Sequence, residues 1–253
     1  MRVLLKIAYD GTAYSGWQVQ KNAPSVQQTL QKAIEEYVGH DIQLTGASRT
    51  DAGVHATAQM AVFDTDKCLD MYKTPFAINA RLPEDIAVQE ARNVPDTFHP
   101  RYLAHEKVYR YRILYSMMPL PTERFFSYHV YGELSVDAMR AAAQYLKGTH
   151  DFRSFCPAKT EMEDTVRTIY DIDVSQHDSF IDITVSGNGF LHNMVRIIAG
   201  TLIDAGRGKF APEDMIRIIE ARDRNAAGHT APPQGLTLMD IRYDTETTDQ
   251  RED

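Results

Sequence analysis

The order strand–helix–strand–strand–helix–strand is written twice along this 253-residue chain, and that repetition limits the fold more than any other feature. In the first half, Val3 to Tyr9 is a short apolar run ending at Asp10-Gly11, a strand followed by a turn. Ser25 is a good N-cap. After it Val26, Leu30, Ala33, Ile34, Tyr37 and Val38 recur at helical spacing until Gly39. Ile42 to Thr45 and Met60 to Phe63 read as strands with a polar loop between them. Tyr72 to Ala80 reads as a helix with Pro75 near its start, and Pro83-Glu84-Asp85 turns the chain into a strand from Ile86 to Val94.

The second half repeats this order. Lys107 to Leu114 alternates as a strand, and Ser135 caps a helix through Met139, Ala142, Ala143 and Leu146, stopped by Gly148. Val166 to Val174 and Phe180 to Val185 are strands joined by the polar turn Gln176-His177-Asp178. Leu191, Met194, Val195, Ile198, Leu202 and Ile203 form the apolar stripe of a helix ending near Gly206 and Gly208. A further helix starts at Pro212, and Leu236 to Tyr243 closes with a strand. The expected fold class is α+β: two ferredoxin-like (βαββαβ) halves with antiparallel or mixed sheets joined side by side around a central cleft. The expected division is 1–104, 105–244 and an acidic tail at 245–253.

Composition narrows the function classes. At 43% hydrophobic and 25% charged, the chain is ordinarily globular. Its first residues are too charged for a signal-peptide core, and no stretch approaches the roughly 18 apolar residues of a membrane span. Cys68 and Cys156 make neither a disulfide framework nor a zinc-ligand spacing, so a cytoplasmic setting is expected. The net charge is −8, which argues weakly against a nucleic-acid partner. Its distribution softens that argument. Asp244 to Asp253 holds five acids and one base, whereas Arg101, Lys107, Arg110 and Arg112 form a basic stripe interrupted only by Glu106.

The loop Gly46-Ala47-Ser48-Arg49-Thr50-Asp51-Ala52-Gly53-Val54-His55-Ala56 carries the first chemical candidate. An aspartate on a rigid loop can serve as a nucleophile, a base or a metal ligand. By its generic chemistry alone, an aspartate two residues from an arginine is more often a surface ion pair.

The residues are less anonymous when taken together. Ser48 to Ala56 resembles the signature loop of the tRNA pseudouridine synthase A (TruA-type) family. Tyr9-Asp10-Gly11-Thr12 with Gly16-Trp17-Gln18 resembles the family's opening strand and loop. Phe98, Arg101 and Ala104 with Lys107-Val108-Tyr109-Arg110-Tyr111 resembles its second block, and Gly187-Asn188-Gly189-Phe190-Leu191 with Met194-Val195-Arg196 its third. Ala231-Pro232-Pro233-Gln234-Gly235-Leu236 resembles its last. Ser48 is a departure, since a glycine is common there. A second departure is the acidic tail, on which the resemblance says nothing.

The resemblance implies an isomerase that converts uridine to pseudouridine at positions 38, 39 and 40, in the anticodon arm of tRNA. It implies a homodimer with tRNA across both subunits and no cofactor. It assigns Asp51 as the nucleophile, Arg196 as its cationic partner reached across the cleft, and Tyr109 as a ring that stacks on the target base, its hydroxyl a candidate proton acceptor. Leu236 matches an apolar residue beside the uracil. Arg49 is a candidate to fill the space left by an extruded base or to hold a phosphate. Lys107, with Arg110 and Arg112, is a candidate for the tRNA backbone. No metal site is expected: the nine histidines include no HExxH and no paired ligand spacing. Tyr111, Trp17 and Phe190 read as core or loop anchors, and His55 as structural. Two other classes compete: an RNA-binding module without chemistry, and an aspartate-dependent phosphotransferase that would need Mg²⁺. Asp64-Thr65-Asp66 resembles a fragment of a phosphotransferase aspartate motif, but the context that motif requires is missing.

Overall fold

In chain order the elements are β1 (Arg2–Tyr9), α1 (Val26–Val38), β2 (Thr45–Gly46), β3 (His55–Asp64), α2 (Thr74–Asn79), β4 (Ile86–Val94), β5 (Ala104–Tyr115), β6 (Tyr128–Val130), α3 (Val136–Gln144), β7 (Gly148–Asp151), β8 (Val166–His177), β9 (Phe180–Gly187), α4 (Met194–Gly206), α5 (Asp214–Ala221) and β10 (Leu236–Tyr243). They come from a computed structural model that describes residues 1–159 and 163–244; the expected tail at 245–253 lies outside the described residues. The fold is mixed α+β and divides into two units. One is Met1–Glu106 with the chain from Leu238 onward, and the other is Lys107–Thr237.

In the first unit β1 is central. Val3, Leu4, Leu5 and Ile7 are all buried, as a strand covered on both faces requires. It pairs antiparallel with β3 and β4, and the sheet runs β4-β1-β3-β10 with β2 also on β3. The β1–β3 ladder breaks register between Ile7↔Gln59 and Tyr9↔Ala56. Such a bulge re-aims the residues beside it, here the loop before β3 that carries Asp51. The α1 helix lies where its periodicity places it: Val26, Leu30, Ala33, Ile34 and Val38 are buried. The Ser25 side chain accepts the Gln28 N–H at 3.3 Å, and Gly39 ends the helix at φ 75° with its N–H on the Glu35 carbonyl. Ser25→Ala should lower stability by about 1 kcal/mol, read from urea unfolding, without moving the urea slope.

In the second unit the sheet runs β5-β9-β8-β7 through antiparallel pairs, with β6 parallel to β5. Ser135 caps α3 by accepting the Ala138 N–H at 3.1 Å. The α4 helix is apolar almost all round, and of its residues only Arg196 is not buried.

Several boundaries differ from the sequence reading. The strand expected at Ile42 to Thr45 is only Thr45–Gly46. Ile42 and Leu44 are buried without joining the ladder, so alternating burial imitated strand periodicity. The loop after β2 is shorter than expected, because His55 and Ala56 already belong to β3. The α3 helix ends at Gln144, and Gly148 opens β7 at φ +100° instead of stopping the helix. Gln176 and His177 are still paired in β8, so the turn is tighter and begins at Asp178, φ 52°. The second unit also contains β6 and β7, which the repeated element order did not include. Among the described residues no helix is long and apolar enough to cross a membrane.

Candidate catalytic loop and tyrosine–arginine cluster

Asp51 sits in an irregular segment between β2 and β3 that is fastened on both sides. Ahead of it, the buried Thr50 hydroxyl meets the Tyr9 hydroxyl at 2.7 Å, and the Thr50 carbonyl accepts the Trp17 N–H at 3.1 Å. Gln59, fully buried, brackets Ser48: its Oε1 accepts the Ser48 N–H at 3.2 Å and its Nε2 donates to the Ser48 carbonyl at 2.7 Å. Behind it, the Asp51 carbonyl accepts the Val54 N–H at 3.1 Å, and Gly53, at φ +76°, donates to the Tyr14 carbonyl at 3.3 Å. Asp51 is half-buried and Arg49 exposed.

The opening segment of the chain is the other wall of this loop. Gly16 has φ +95°, and a Cβ there would lie 2.4 Å from the Thr50 carbonyl oxygen and 3.0 Å from the Asp51 carbonyl carbon. Gly11 is as close to Val54. Its N–H points at His55 Nδ1 at 3.1 Å, and Asp10 Oδ1 lies 3.1 Å from the same nitrogen. One nitrogen cannot accept from Gly11 and donate to Asp10. With Nδ1 accepting the backbone N–H, the Asp10 contact is a polar approach and not a second hydrogen bond. His55 is therefore a structural pin, as its sequence context suggested. Trp17, 2% exposed, packs on Tyr9 at 6.1 Å between ring centres and abuts Gly46.

Against this wall lies a cavity of about 220 Å³, lined among others by Trp17, Gly46, Arg49, His99, Arg101 and Tyr102. The sequence reading singled out Arg49 and Arg101 but missed His99 and Tyr102. Turn residues carry no periodicity, and nothing local ties them to a loop some 50 positions earlier.

In the second unit Tyr109 lies on β5 opposite Val185, and Tyr111 opposite Ile183. Burial of Tyr109, Tyr111 and Ile113 confirms the shared strand face. The Tyr109 ring meets Phe190 edge-on at 5.3 Å and is 6% exposed, so a base reaches its face only if neighbours shift. Tyr111 is fully buried and donates to the Pro232 carbonyl at 2.8 Å; burial pushes its hydroxyl pKa far up, which keeps it protonated and structural. Arg196, from the first turn of α4, donates through Nε to the Ala231 carbonyl at 2.8 Å and through a terminal nitrogen to Asn193 Oδ1 at 2.8 Å. Its own carbonyl accepts the Ala231 N–H at 3.1 Å. The 231–236 segment is thus tied to both Arg196 and Tyr111, and Leu236 ends it, 6% exposed. Asn188 continues β9 as a side chain, its Oδ1 accepting the Thr168 N–H at 2.9 Å.

The basic stripe is only partly available. Arg112 makes two 2.8 Å hydrogen bonds to Asp182, which neutralises it. Arg110 is half-buried with its Nε unpaired, and burial beside Arg112 lowers its pKa. Lys107 is half-buried at the Gly187 end of the ladder. Asp64 is bound to Arg2 at 2.8 Å through both oxygens. Among the described residues no group of three or more His, Cys, Asp or Glu side chains could hold a metal ion.

The family described as tRNA pseudouridine synthase matches residues 6–103 and 142–244. A tRNA pseudouridine synthase A of Thermoanaerobacter sp. (strain X514) is 47% identical over 241 residues, covering 95% of this chain and 99% of the relative. The protein of that name from Ruminiclostridium cellulolyticum is 49% identical over 243 residues, 96% of this chain and 99% of the relative. That from Bacillus subtilis (strain 168) is 46% identical over 246 residues, 96% of this chain and all of the relative. On a match of this length, this chain belongs to the tRNA pseudouridine synthase family and is an isomerase.

Proposed function

We propose that this protein converts uridine to pseudouridine in the anticodon arm of tRNA, at positions 38, 39 and 40, with Asp51 as the nucleophile. The observation that carries this reading is the Asp51 loop, a carboxylate on backbone pinned from both sides and matching the family's signature. Rigid placement of the reacting group is what such chemistry needs. The N1–C1′ bond breaks, the uracil turns, and C5 bonds to C1′. The C5 proton leaves and N1 takes one up, so the reaction balances without a redox partner. Asp51, as carboxylate, attacks or traps the electron-poor partner. Tyr109 and Arg196 complete the proposed catalytic set, and Arg49, Leu236 and Lys107 the substrate contacts. We read the two halves as ferredoxin-like; the β4-β1-β3 order with β2 on β3 supports this for the first.

The direct test is tritium release from tRNA transcribed with [5-³H]uridine, in EDTA. Release in EDTA supports the reading and excludes a Mg²⁺-dependent phosphotransferase; binding without release favours an RNA-binding module. Tyr109→Phe should lower kcat about 100-fold with tRNA binding unchanged, because the hydroxyl is assigned a proton. A parental kcat would leave the ring only a stacking role.

The protein is proposed to work as a cytoplasmic homodimer. What supports a second copy is the run of exposed apolar side chains in the second unit, Met117, Met118, Leu120, Phe125, Phe126 and Tyr131.

A further inference from the structure

The cavity beside the Asp51 loop has a chemistry at odds with the rest of the chain. The protein carries a net −8, yet the lining contains two arginines, Arg49 and Arg101, a histidine and no carboxylate. Its mouth carries Tyr102, 79% exposed, whose ring stacks on His99 at 4.2 Å and 30°. That stack is built in. The backbone N–H groups of Arg101 and Tyr102 both point at His99 Nδ1, at 3.2 and 3.4 Å. Behind the turn, Phe98 is 1% exposed and packs on Tyr243, whose hydroxyl donates to the Pro100 carbonyl at 2.8 Å. An aromatic ring held open to solvent, backed by a second ring and flanked by guanidinium groups, is how proteins hold single-stranded nucleic acid: the ring stacks a base and the cations take its phosphate. At about 220 Å³ the cavity is far too small for a duplex.

We propose that this cavity binds one unstacked nucleotide of the substrate RNA next to the reacting uridine, its base on Tyr102 and its phosphate at Arg101 and Arg49. This rests on the function proposed above and adds a site to it. The site includes Arg49, two residues before Asp51, and Trp17, whose backbone N–H donates to the Thr50 carbonyl.

The test measures Kd, KM and kcat on an unmodified tRNA transcript for the parent, Tyr102→Ala, Tyr102→Phe and Arg101→Ala, with melting temperatures as a check on folding. Tyr102→Ala should raise Kd and KM about 10-fold with kcat at saturation unchanged. Tyr102→Phe should restore both to within about twofold, because stacking needs only the ring. Arg101→Ala should raise Kd and reduce the slope of log Kd against log salt by about 1. Parental Kd, KM and salt slope in both alanine variants would overturn the site. The binding arm needs no turnover. A parent that binds tRNA but makes no pseudouridine therefore overturns the functional reading alone, and Kd still decides the site.

Discussion

Asp51→Asn binds tRNA within about threefold of the parent and forms no detectable pseudouridine. The substitution keeps the shape of the side chain and removes only its charge. The loop is held by several groups other than that carboxylate. Its fastenings run through the Asp51 carbonyl, the Thr50 hydroxyl and carbonyl, Gln59 and the Gly53 N–H, all of which remain. An amide is a poor nucleophile and holds a developing positive charge weakly, so a fall of at least about 10³-fold in kcat is expected. Single-turnover labelling with saturating enzyme separates this from a binding defect. A kcat within tenfold of the parent would remove Asp51 from the chemistry.

Gly16→Ala should be strongly damaging. At φ +95° a side chain is strained, and the new Cβ would sit 2.4 Å from the Thr50 carbonyl oxygen and 3.0 Å from the Asp51 carbonyl carbon. Both neighbours are backbone, so the loop itself must move. A loss of about 3 kcal/mol or more is expected from chemical unfolding, with kcat falling even at temperatures where the variant stays folded. Gly132→Ala separates the two causes. Gly132 has φ +85° but nothing within 4 Å of a new Cβ, so strain alone should cost about 1–2 kcal/mol and leave kcat unchanged. Equal effects from the two variants would mean that the close approach to Asp51 does not matter.

What the sequence disclosed, and what it hid, follows from where the information lies. The α1 helix was legible from cap to cap, because Ser25, the apolar spacing and Gly39 are all local. The short strands were not. The β7 strand is Gly-Thr-His-Asp, in which only Thr149 favours a strand, and it pairs with β8. The β2 strand was misplaced because Ile42 and Leu44 bury side chains without pairing backbone. At the site, Asp51 stood out through its motif, but the cause of its rigidity did not: Gly16, Tyr9 and Gln59 act from three separate elements. Arg112 looked like an RNA contact until Asp182 was found opposite it across the ladder. Tyr102 and His99 were invisible because a stacked pair in a turn has no period to read.

The measurement that tests the central claim most directly is pseudouridine mapping by base-specific chemical labelling on unmodified tRNA transcripts. Parent and Asp51→Ala protein are compared in EDTA. New pseudouridine confined to positions 38 to 40 of the anticodon arm, made by the parent and not by Asp51→Ala, is the predicted result. Pseudouridine elsewhere in the tRNA, or equal product from Asp51→Ala, would contradict it.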